Sequence, residues 1–379
     1  MKLKNFDFSK KVALHPKQVE EVFNNSRPFP TTVEIDLTNH CNHRCSFCVW
    51  GEHISTDKSV LKKDVIEKCI LDMRQLGSKA ITFTGGGEPM IHKNFGEILE
   101  YTKSLGYDCG LITNGSVITE KNAHFLIKNL KWIRFSISGG DKESYKAVQG
   151  KDHFNLVCKN INLLSAIKIQ KKSNLKIGIR MLITKENVHT LVKLCEILKE
   201  IEGINFLQIA PDHDNDDEGR FWHGETVNQE KIKAEKILFD KGIDLRTSGF
   251  EILNTSNKDN NKIINIPSKC FAHFFQIAIM ADGSVSYCKN ARFDQKFIIG
   301  NINDKNIFDV WNSEKNVEFE KWVKPSNCGL LCKNIRVNLG MEEIKDTNDI
   351  QKNFVFSDEN LKEYENKYPA DPLDKNFVG

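Results

Sequence analysis

The sequence predicts an α/β fold: a parallel sheet of six strands with five intervening helices, followed by a smaller α+β unit. Three observations carry that expectation. Strand-like and helix-like segments alternate from Thr32 to Ile209. Polar and glycine-bearing stretches close successive strands, which is where an α/β sheet keeps its binding groups. The alternation stops after Pro211, and an Asp-Gly hairpin follows near residue 280.

Thr32-Val33-Glu34-Ile35-Asp36-Leu37 alternates and is β-branched, so it reads as the first strand. Leu61, Val65, Ile66, Cys69, Ile70, Met73 and Leu76 recur at helical spacing, and Gly77 ends that helix. Ala80-Ile81-Thr82-Phe83-Thr84 is the second strand. Further strands are expected at 109–113, 132–136, 176–182 and 205–209, with helices at 95–105, 120–130, 156–171 and 188–201. Such alternation implies right-handed βαβ units. Beyond Pro211 come an acidic loop, a polar helix at 229–241 and an exposed loop at 254–261. In the hairpin, Phe275–Met280 and Ser284–Tyr287 flank the turn Ala281-Asp282-Gly283. The tail beyond Asn338 is charged and shows little pattern.

The chain has 379 residues, 40% hydrophobic and 28% charged, with a formal net charge of +3. Length favours one large domain and a smaller one. The near-neutral charge gives no footprint for nucleic acid or lipid. No apolar run approaches the roughly 20 residues of a membrane helix. The first residues lack the apolar core of a signal peptide, so the cytoplasm is the expected compartment. Disulfides are unexpected there, although the chain holds eleven cysteines. Cys69, Cys109, Cys158 and Cys195 lie in apolar stretches and read as small buried hydrophobes.

The other seven cysteines are grouped. Cys41-Asn42-His43-Arg44-Cys45-Ser46-Phe47-Cys48 follows the first strand directly. Three thiolates in so short a loop suit three irons of a cubane cluster and leave the fourth iron open. Zinc competes, with His40 or His43 as a fourth ligand. Cys270 and Cys288 bracket the hairpin, and Cys328 and Cys332 follow. Those four suit a second iron–sulfur centre, a zinc knuckle or simple packing.

Later strand ends carry further candidates. Thr84-Gly85-Gly86-Gly87-Glu88-Pro89 ends the second strand; glycine permits close backbone approach, and a carboxylate accepts from an ammonium. Thr113-Asn114-Gly115 ends the third strand and is also an ordinary turn sequence. Ser136 and Ser138 end the fourth. Arg180 stands inside the apolar fifth strand, where a charge needs a partner, either a bound carboxylate or a neighbouring acid. Gln208, Asp212 and His213 close the sixth strand. Glu52 and His53 lie just after the cysteine loop.

Cys-x3-Cys-x2-Cys, with Phe47 before its last cysteine, resembles the signature of the radical S-adenosylmethionine (SAM) superfamily. The likeness covers about residues 31–211. It implies a partial (β/α)6 TIM-like barrel, with a [4Fe-4S] cluster on Cys41, Cys45 and Cys48. In that family the open iron chelates SAM, and reductive cleavage yields a 5′-deoxyadenosyl radical that abstracts a substrate hydrogen. The same resemblance places Phe47 beside the adenine. Gly86, Gly87 and Glu88 would hold the SAM amino group, Asn114 would face the SAM pocket, and Ser136 would contact the ribose or carboxylate. Asp is common in the family where this chain has Ser138. Arg180 would meet the SAM carboxylate or substrate. By position Gln208 would touch adenine or substrate, and Asp212 and His213 would serve in catalysis.

The second cysteine set resembles the twitch form of the SPASM extension. It implies an auxiliary [4Fe-4S] cluster on Cys270, Cys288, Cys328 and Cys332. The expected division is an N-terminal extension (1–30), the core (31–211), a connecting segment (212–262), the auxiliary-cluster domain (263–338) and a tail (339–379). The expected partners are a small-molecule substrate and an external one-electron reductant such as flavodoxin or ferredoxin, with no nucleic acid and no membrane. Twitch-bearing relatives dehydrogenate, epimerise or deoxygenate carbinol carbons of sugars, nucleotide sugars and aminocyclitols. Peptide maturation is the alternative and a non-enzymatic electron-transfer module the third. Forty residues precede Cys41, fewer than a peptide-recognition domain needs, which favours a small substrate.

Overall fold

The computed structural model describes residues 8–212, 224–247, 269–324, 334–347 and 376–377. The six expected strands form as β1 (Thr32–Asp36), β2 (Ala80–Thr84), β3 (Asp108–Thr113), β4 (Trp132–Ser136), β5 (Lys176–Ile183) and β6 (Ile204–Pro211). A seventh, β7 (Asp244–Thr247), lies beyond them and pairs parallel to β6. It falls in the expected connecting segment and carries little strand pattern, since only one residue of the four, Leu245, is buried. The hairpin forms as β8 (Gln276–Ile279) and β9 (Ser284–Ser286), and β10 (Ile298–Asn301) joins it antiparallel.

All ten strands belong to one sheet, in the order β10-β9-β8-β1-β2-β3-β4-β5-β6-β7. Strands β1 to β7 are parallel throughout. β8 pairs parallel to the free edge of β1, with Val33 opposite Ile277. The C-terminal hairpin therefore extends the barrel sheet instead of founding a second one.

The sheet is curled. Glu34 on β1 feels the charge of Arg134 on β4 and interacts with Arg180 on β5. In a flat sheet those strands would stand about 14–19 Å away. Curvature brings the three onto one concave face. The alternate residues Ile35, Ile133, Phe135, Ile177 and Ile179 are fully buried on the other face, against the helices.

Between the strands run α3 (Lys63–Gln75), α4 (Phe95–Ser104), α5 (Glu120–Asn129), α7 (Phe154–Gln170) and α8 (Leu191–Lys199), as expected. α9 (Glu225–Phe239) matches the expected polar helix. Several helices were not foreseen: α1 (Pro16–Phe23), α2 (Gly51–Thr56), α6 (Lys142–Gln149), α10 (Ile307–Trp311), α11 (Glu314–Trp322) and α12 (Ile335–Thr347). α6 has a capping box, in which the Asp141 carboxylate accepts from Ser144 N, and Gly150 ends it at φ 68°. α12 falls in the stretch read as patternless. Its buried Val337, Met341 and Ile344 make an apolar stripe that the surrounding charges conceal.

At the amino ends of the barrel strands, Asn376 and Phe377 close the base. Thr32 Oγ1 donates to Asn376 O at 2.7 Å, and Asn376 Nδ2 donates to Asp108 Oδ2 at 2.7 Å. Phe377 packs edge-on against Trp132. Any ligand in the lumen is thus confined towards the carboxyl ends of the strands. No described helix is long and apolar enough to cross a membrane.

Candidate active site

The cysteine loop is held from three sides. On the first, the polypeptide after β2 is stitched to it: Gly87 N donates to Thr38 O and Glu88 N to His40 O, both at 2.9 Å. A Cβ on Gly86 would overlap Asn39 Oδ1, and one on Gly87 would overlap the His40 carbonyl oxygen. The sequence reading has these glycines admit a ligand; what their Cα faces admit here is the cysteine loop itself. Gly87→Ala is expected to displace residues 38–41 and to cut retained iron severalfold, measured as iron per chain after anaerobic reconstitution. Wild-type iron content would overturn this.

On the second side, Glu88 and Asn114 work as a pair. Glu88 is buried, and its carboxylate accepts from Thr113 Oγ1 (2.7 Å), Asn114 N (2.8 Å) and Met90 N (3.2 Å). Burial raises its pKa, against those three donors. A carboxylate has room for about four donors, so one position remains for an ammonium. Asn114 Nδ2 donates to Asn42 Oδ1 at 2.8 Å, inside the cysteine loop, and Asn114 Oδ1 accepts from Ser116 N and Oγ. The Asn114 side chain therefore clamps the loop, a role its turn-like sequence does not announce.

The third side is the end of α6. Arg44 N donates to Gln149 O and Ser46 N to Val148 O. A Cβ on Gly150 would strike Arg44 O. Gln149 also joins this loop to the end of β4: its Nε2 donates to Ser136 O at 3.1 Å, and its Oε1 accepts from Ser138 N at 2.6 Å. Ser138 Oγ accepts from Leu182 N, so Ser138 braces β5.

The three cysteines are half-buried with free thiols, and Phe47 stands half-buried between Cys45 and Cys48. Burial pushes up all three thiols, and the neighbouring cysteines push Cys45 further. Such a set takes its ionised form when a multiply charged metal group is bound. Among the described residues no group of three Cys, His, Asp or Glu is arranged to hold one metal ion. Zinc needs its sulfurs about 2.3 Å from one centre, whereas a cubane takes one thiolate at each of three irons. The zinc alternative also loses His43. That ring is buried, faces Tyr145 Oη at 3.2 Å and Asn42 Oδ1 at 3.3 Å, and is lowered to about 4 by burial and by His153. His40 is exposed. The donor set fits an iron–sulfur cluster.

The concave face supplies a polar lumen. Arg180 lies opposite Ser136 on β4 and Gln208 on β6. Arg134 Nη1 donates to Gln208 Oε1 at 2.9 Å. Arg134 escaped the sequence reading, although it shows the same signal as Arg180, a charge within an apolar strand. Asp212 is buried just after β6. His213 lies outside the described residues.

Glu34 and Asp36 on β1 were also missed, read only as strand alternation. Both meet Arg292, four residues beyond Cys288. Arg292 Nη1 pairs with Asp36 Oδ1 at 2.5 Å, Nη2 pairs with Glu34, and Lys289 Nζ reaches Glu34 Oε1 at 3.4 Å. Arg292 also lies over the Trp50 ring. Phe293 packs against Trp50 and His53 on α2. The loop after Cys288 thus lies against both the barrel mouth and the end of the cysteine loop.

Cys270 and Cys288 each face an amide at the start of α12. Asn338 Nδ2 lies 3.9 Å from Cys270 Sγ, and Asn334 Nδ2 lies 3.7 Å from Cys288 Sγ. Two asparagines four apart, one just before α12 and one in its first turn, were a readable signal. Cys328 and Cys332 lie outside the described residues.

Comparison with known proteins agrees with this arrangement. The model of the radical SAM superfamily matches residues 35–198, and that of the SPASM iron–sulfur cluster-binding domain matches residues 270–334. The chain carries a radical SAM domain and a SPASM-type domain, which imply SAM, a [4Fe-4S] cluster and auxiliary iron–sulfur as its cofactors. It is 22% identical over 300 residues to the tungsten-containing aldehyde ferredoxin oxidoreductase cofactor-modifying protein of Pyrococcus furiosus, covering 74% of this chain and 80% of that one. It is 28% identical to the GTP 3′,8-cyclase of Chlorobaculum tepidum (53% and 61%). It is 24% identical to the dTDP-4-amino-4,6-dideoxy-D-glucose ammonia-lyase of Streptomyces venezuelae (59% and 48%). The chain thus spans about half to four fifths of these relatives. Among solved structures, Streptococcus suis SuiB bound to the precursor peptide SuiA superposes with a TM-score of 0.63 at 17% identity, covering 85% of this chain and 74% of that one. These structural likenesses show the fold.

Proposed function

We propose that this radical SAM enzyme abstracts a hydrogen from a small polar substrate, at a carbinol carbon of a sugar, nucleotide sugar or aminocyclitol. The net result would be dehydrogenation, epimerisation or deoxygenation. The observation that carries this reading is the polar concave face. Glu34, Asp36, Arg134, Arg180 and Gln208 offer donors and acceptors suited to a hydroxyl-rich molecule. The names of two relatives, a cyclase of GTP and a lyase of a dTDP-sugar, point the same way.

When bound, SAM and its cluster supply a 5′-deoxyadenosyl radical on one-electron reduction. The chain supplies the rest. Cys41, Cys45 and Cys48 hold the cluster. Glu88 offers its remaining lone pair to the SAM ammonium, and Phe47 and Ser136 line the adenosine side. Asn114 keeps the loop in place. Asn376 and Phe377 shut the lumen at its base and limit water there. Cys270, Cys288, Cys328 and Cys332 would hold the auxiliary cluster. An external flavodoxin or ferredoxin would deliver the electron, and the cytoplasm would provide the reducing setting.

The test is 5′-deoxyadenosine formation by the anaerobically reconstituted protein with SAM and a strong reductant. A nucleotide-sugar pool is expected to stimulate it above the no-addition control. Stimulation by a peptide extract alone would replace this reading with peptide maturation. A cluster-loaded protein that forms no product in any tube would overturn SAM cleavage as its activity.

A further inference from the structure

Among the described residues, no acid pairs directly with either arginine of the lumen. Arg134 and Arg180 project from the concave faces of β4 and β5. Among the described residues, the Arg134 guanidinium makes one hydrogen bond, to Gln208 Oε1, and its Nε is buried without an acceptor. The Arg180 guanidinium has no hydrogen bond or ion pair among them. Glu34 acts on both at longer range. It is already engaged by Lys289 and Arg292, and Asp36 by Arg292. Asp244 on β7 is held by Arg246 at 2.8 Å. Two neighbouring guanidinium groups thus face a low-dielectric lumen with no directly paired acid among the described residues. That arrangement is strongly unfavourable until an anion arrives.

We infer that Arg134 anchors an oxyanion subsite, one level below Arg180, that holds a phosphate or carboxylate group of the substrate. The inference rests on the radical reading above and narrows its substrate class. Guanidinium is planar and presents paired N–H donors, the geometry that matches both oxyanions. Gln208 fixes the Arg134 plane, leaving Nε without an acceptor among the described residues. Among the substrates considered, a nucleotide sugar carries such a group and an aminocyclitol carries the opposite charge.

The SAM carboxylate is the other oxyanion within such a site. Depth separates the two sources. Ser136 and Arg180 share one level of the sheet. Arg134 lies two residues nearer the strand start, about 7 Å further from the mouth where the cysteine loop and Glu88 sit. SAM held at the mouth reaches the Arg180 level; an anion on Arg134 belongs to a molecule deeper in the lumen.

The test is calorimetric titration of the full-length reconstituted protein, with SAM present, using inorganic pyrophosphate, malonate and glucose. Saturable binding of pyrophosphate or malonate, but not glucose, is expected. Arg134→Gln should weaken that binding about tenfold or more and leave SAM affinity within about twofold. Arg134→Lys, which keeps the charge and loses the fork, should fall between. Should Arg134→Gln fail to load its cluster, the Lys variant carries the comparison. Wild-type protein that binds neither anion would overturn the inference, as would an Arg134 variant that loses SAM affinity and keeps oxyanion binding. 5′-Deoxyadenosine formation in the same samples reports separately on the radical reading. Cleavage of SAM without oxyanion binding sinks this inference alone; oxyanion binding without cleavage sinks that reading instead.

Discussion

Cys45→Ala is expected to reduce 5′-deoxyadenosine formation at least about a hundredfold. Loss of a group that merely supports a metal ligand already costs about 10- to 100-fold, and Cys45 is placed here as a ligand itself. Its surroundings make replacement by a nearby group difficult. The thiol lies 3.9 Å from Gln149 O at the end of α6, and the loop on either side of it is bonded to that helix end through Arg44 N and Ser46 N. His43 is not at hand to replace it, being turned into the packing against Tyr145. Cys69→Ala is the matching control. That cysteine is buried within α3, away from the loop, and its loss should lower thermal stability modestly and spare SAM cleavage. Iron analysis and 5′-deoxyadenosine yield on both variants decide the matter. Full cleavage by Cys45→Ala would remove the loop from the chemistry.

The contrast between these two cysteines shows what sequence makes visible. Spacing separates them, since three thiols within eight residues have no packing rationale and Cys69 repeats with Ile66, Ile70 and Met73 on a helix face. The barrel strands were legible for the same reason: Ile133 and Phe135, or Ile177 and Ile179, fix the buried face by alternation. Contacts between distant strands leave no such trace. Arg134 is marked as unusual by its own strand, yet its nearness to Arg180 depends on register and curl. β7 stayed hidden because an edge strand with one buried residue carries almost no pattern. The roles of Gly86, Gly87 and Asn114 were legible by position and shifted in detail. Their motif lies at a strand end beside the cysteine loop, and only the coordinates show that much of its bonding holds that loop. Arg292 carried no local signal at all. Its importance comes from the pairing of β8 with β1, which brings a residue 256 positions away onto Asp36.

That pairing sets up the other large effect. Arg292→Ala is expected to cut product formation about tenfold or more while SAM cleavage continues, uncoupled from substrate. The side chain is almost fully buried and joins two carboxylates of β1 at once. Removing one partner of a buried ion pair costs about 3–5 kcal/mol, because the remaining charge loses its counterpart. Asp36 is the more vulnerable acid. Burial already raises its pKa, and its Oδ2 has no hydrogen-bond partner. Loss of Arg292 would favour the protonated carboxyl and release the loop after Cys288 from the barrel mouth. The Lys289–Glu34 pair and the Trp50–Phe293 contact would then have to hold that loop. The triple variant Arg292→Met, Glu34→Gln, Asp36→Asn separates the two consequences. Neutralising all three groups should recover part of the melting temperature, since neither acid is left charged without Arg292, while Lys289 loses its partner Glu34. It should not recover product, because the loop bearing Cys288 stays unanchored. Thermal melts, together with the ratio of product to 5′-deoxyadenosine, read the two outcomes independently. A product ratio restored by the triple variant would mean that Arg292 only stabilises the fold, and an unchanged ratio in Arg292→Ala would mean that the auxiliary loop does not need its Arg292 tie to the barrel.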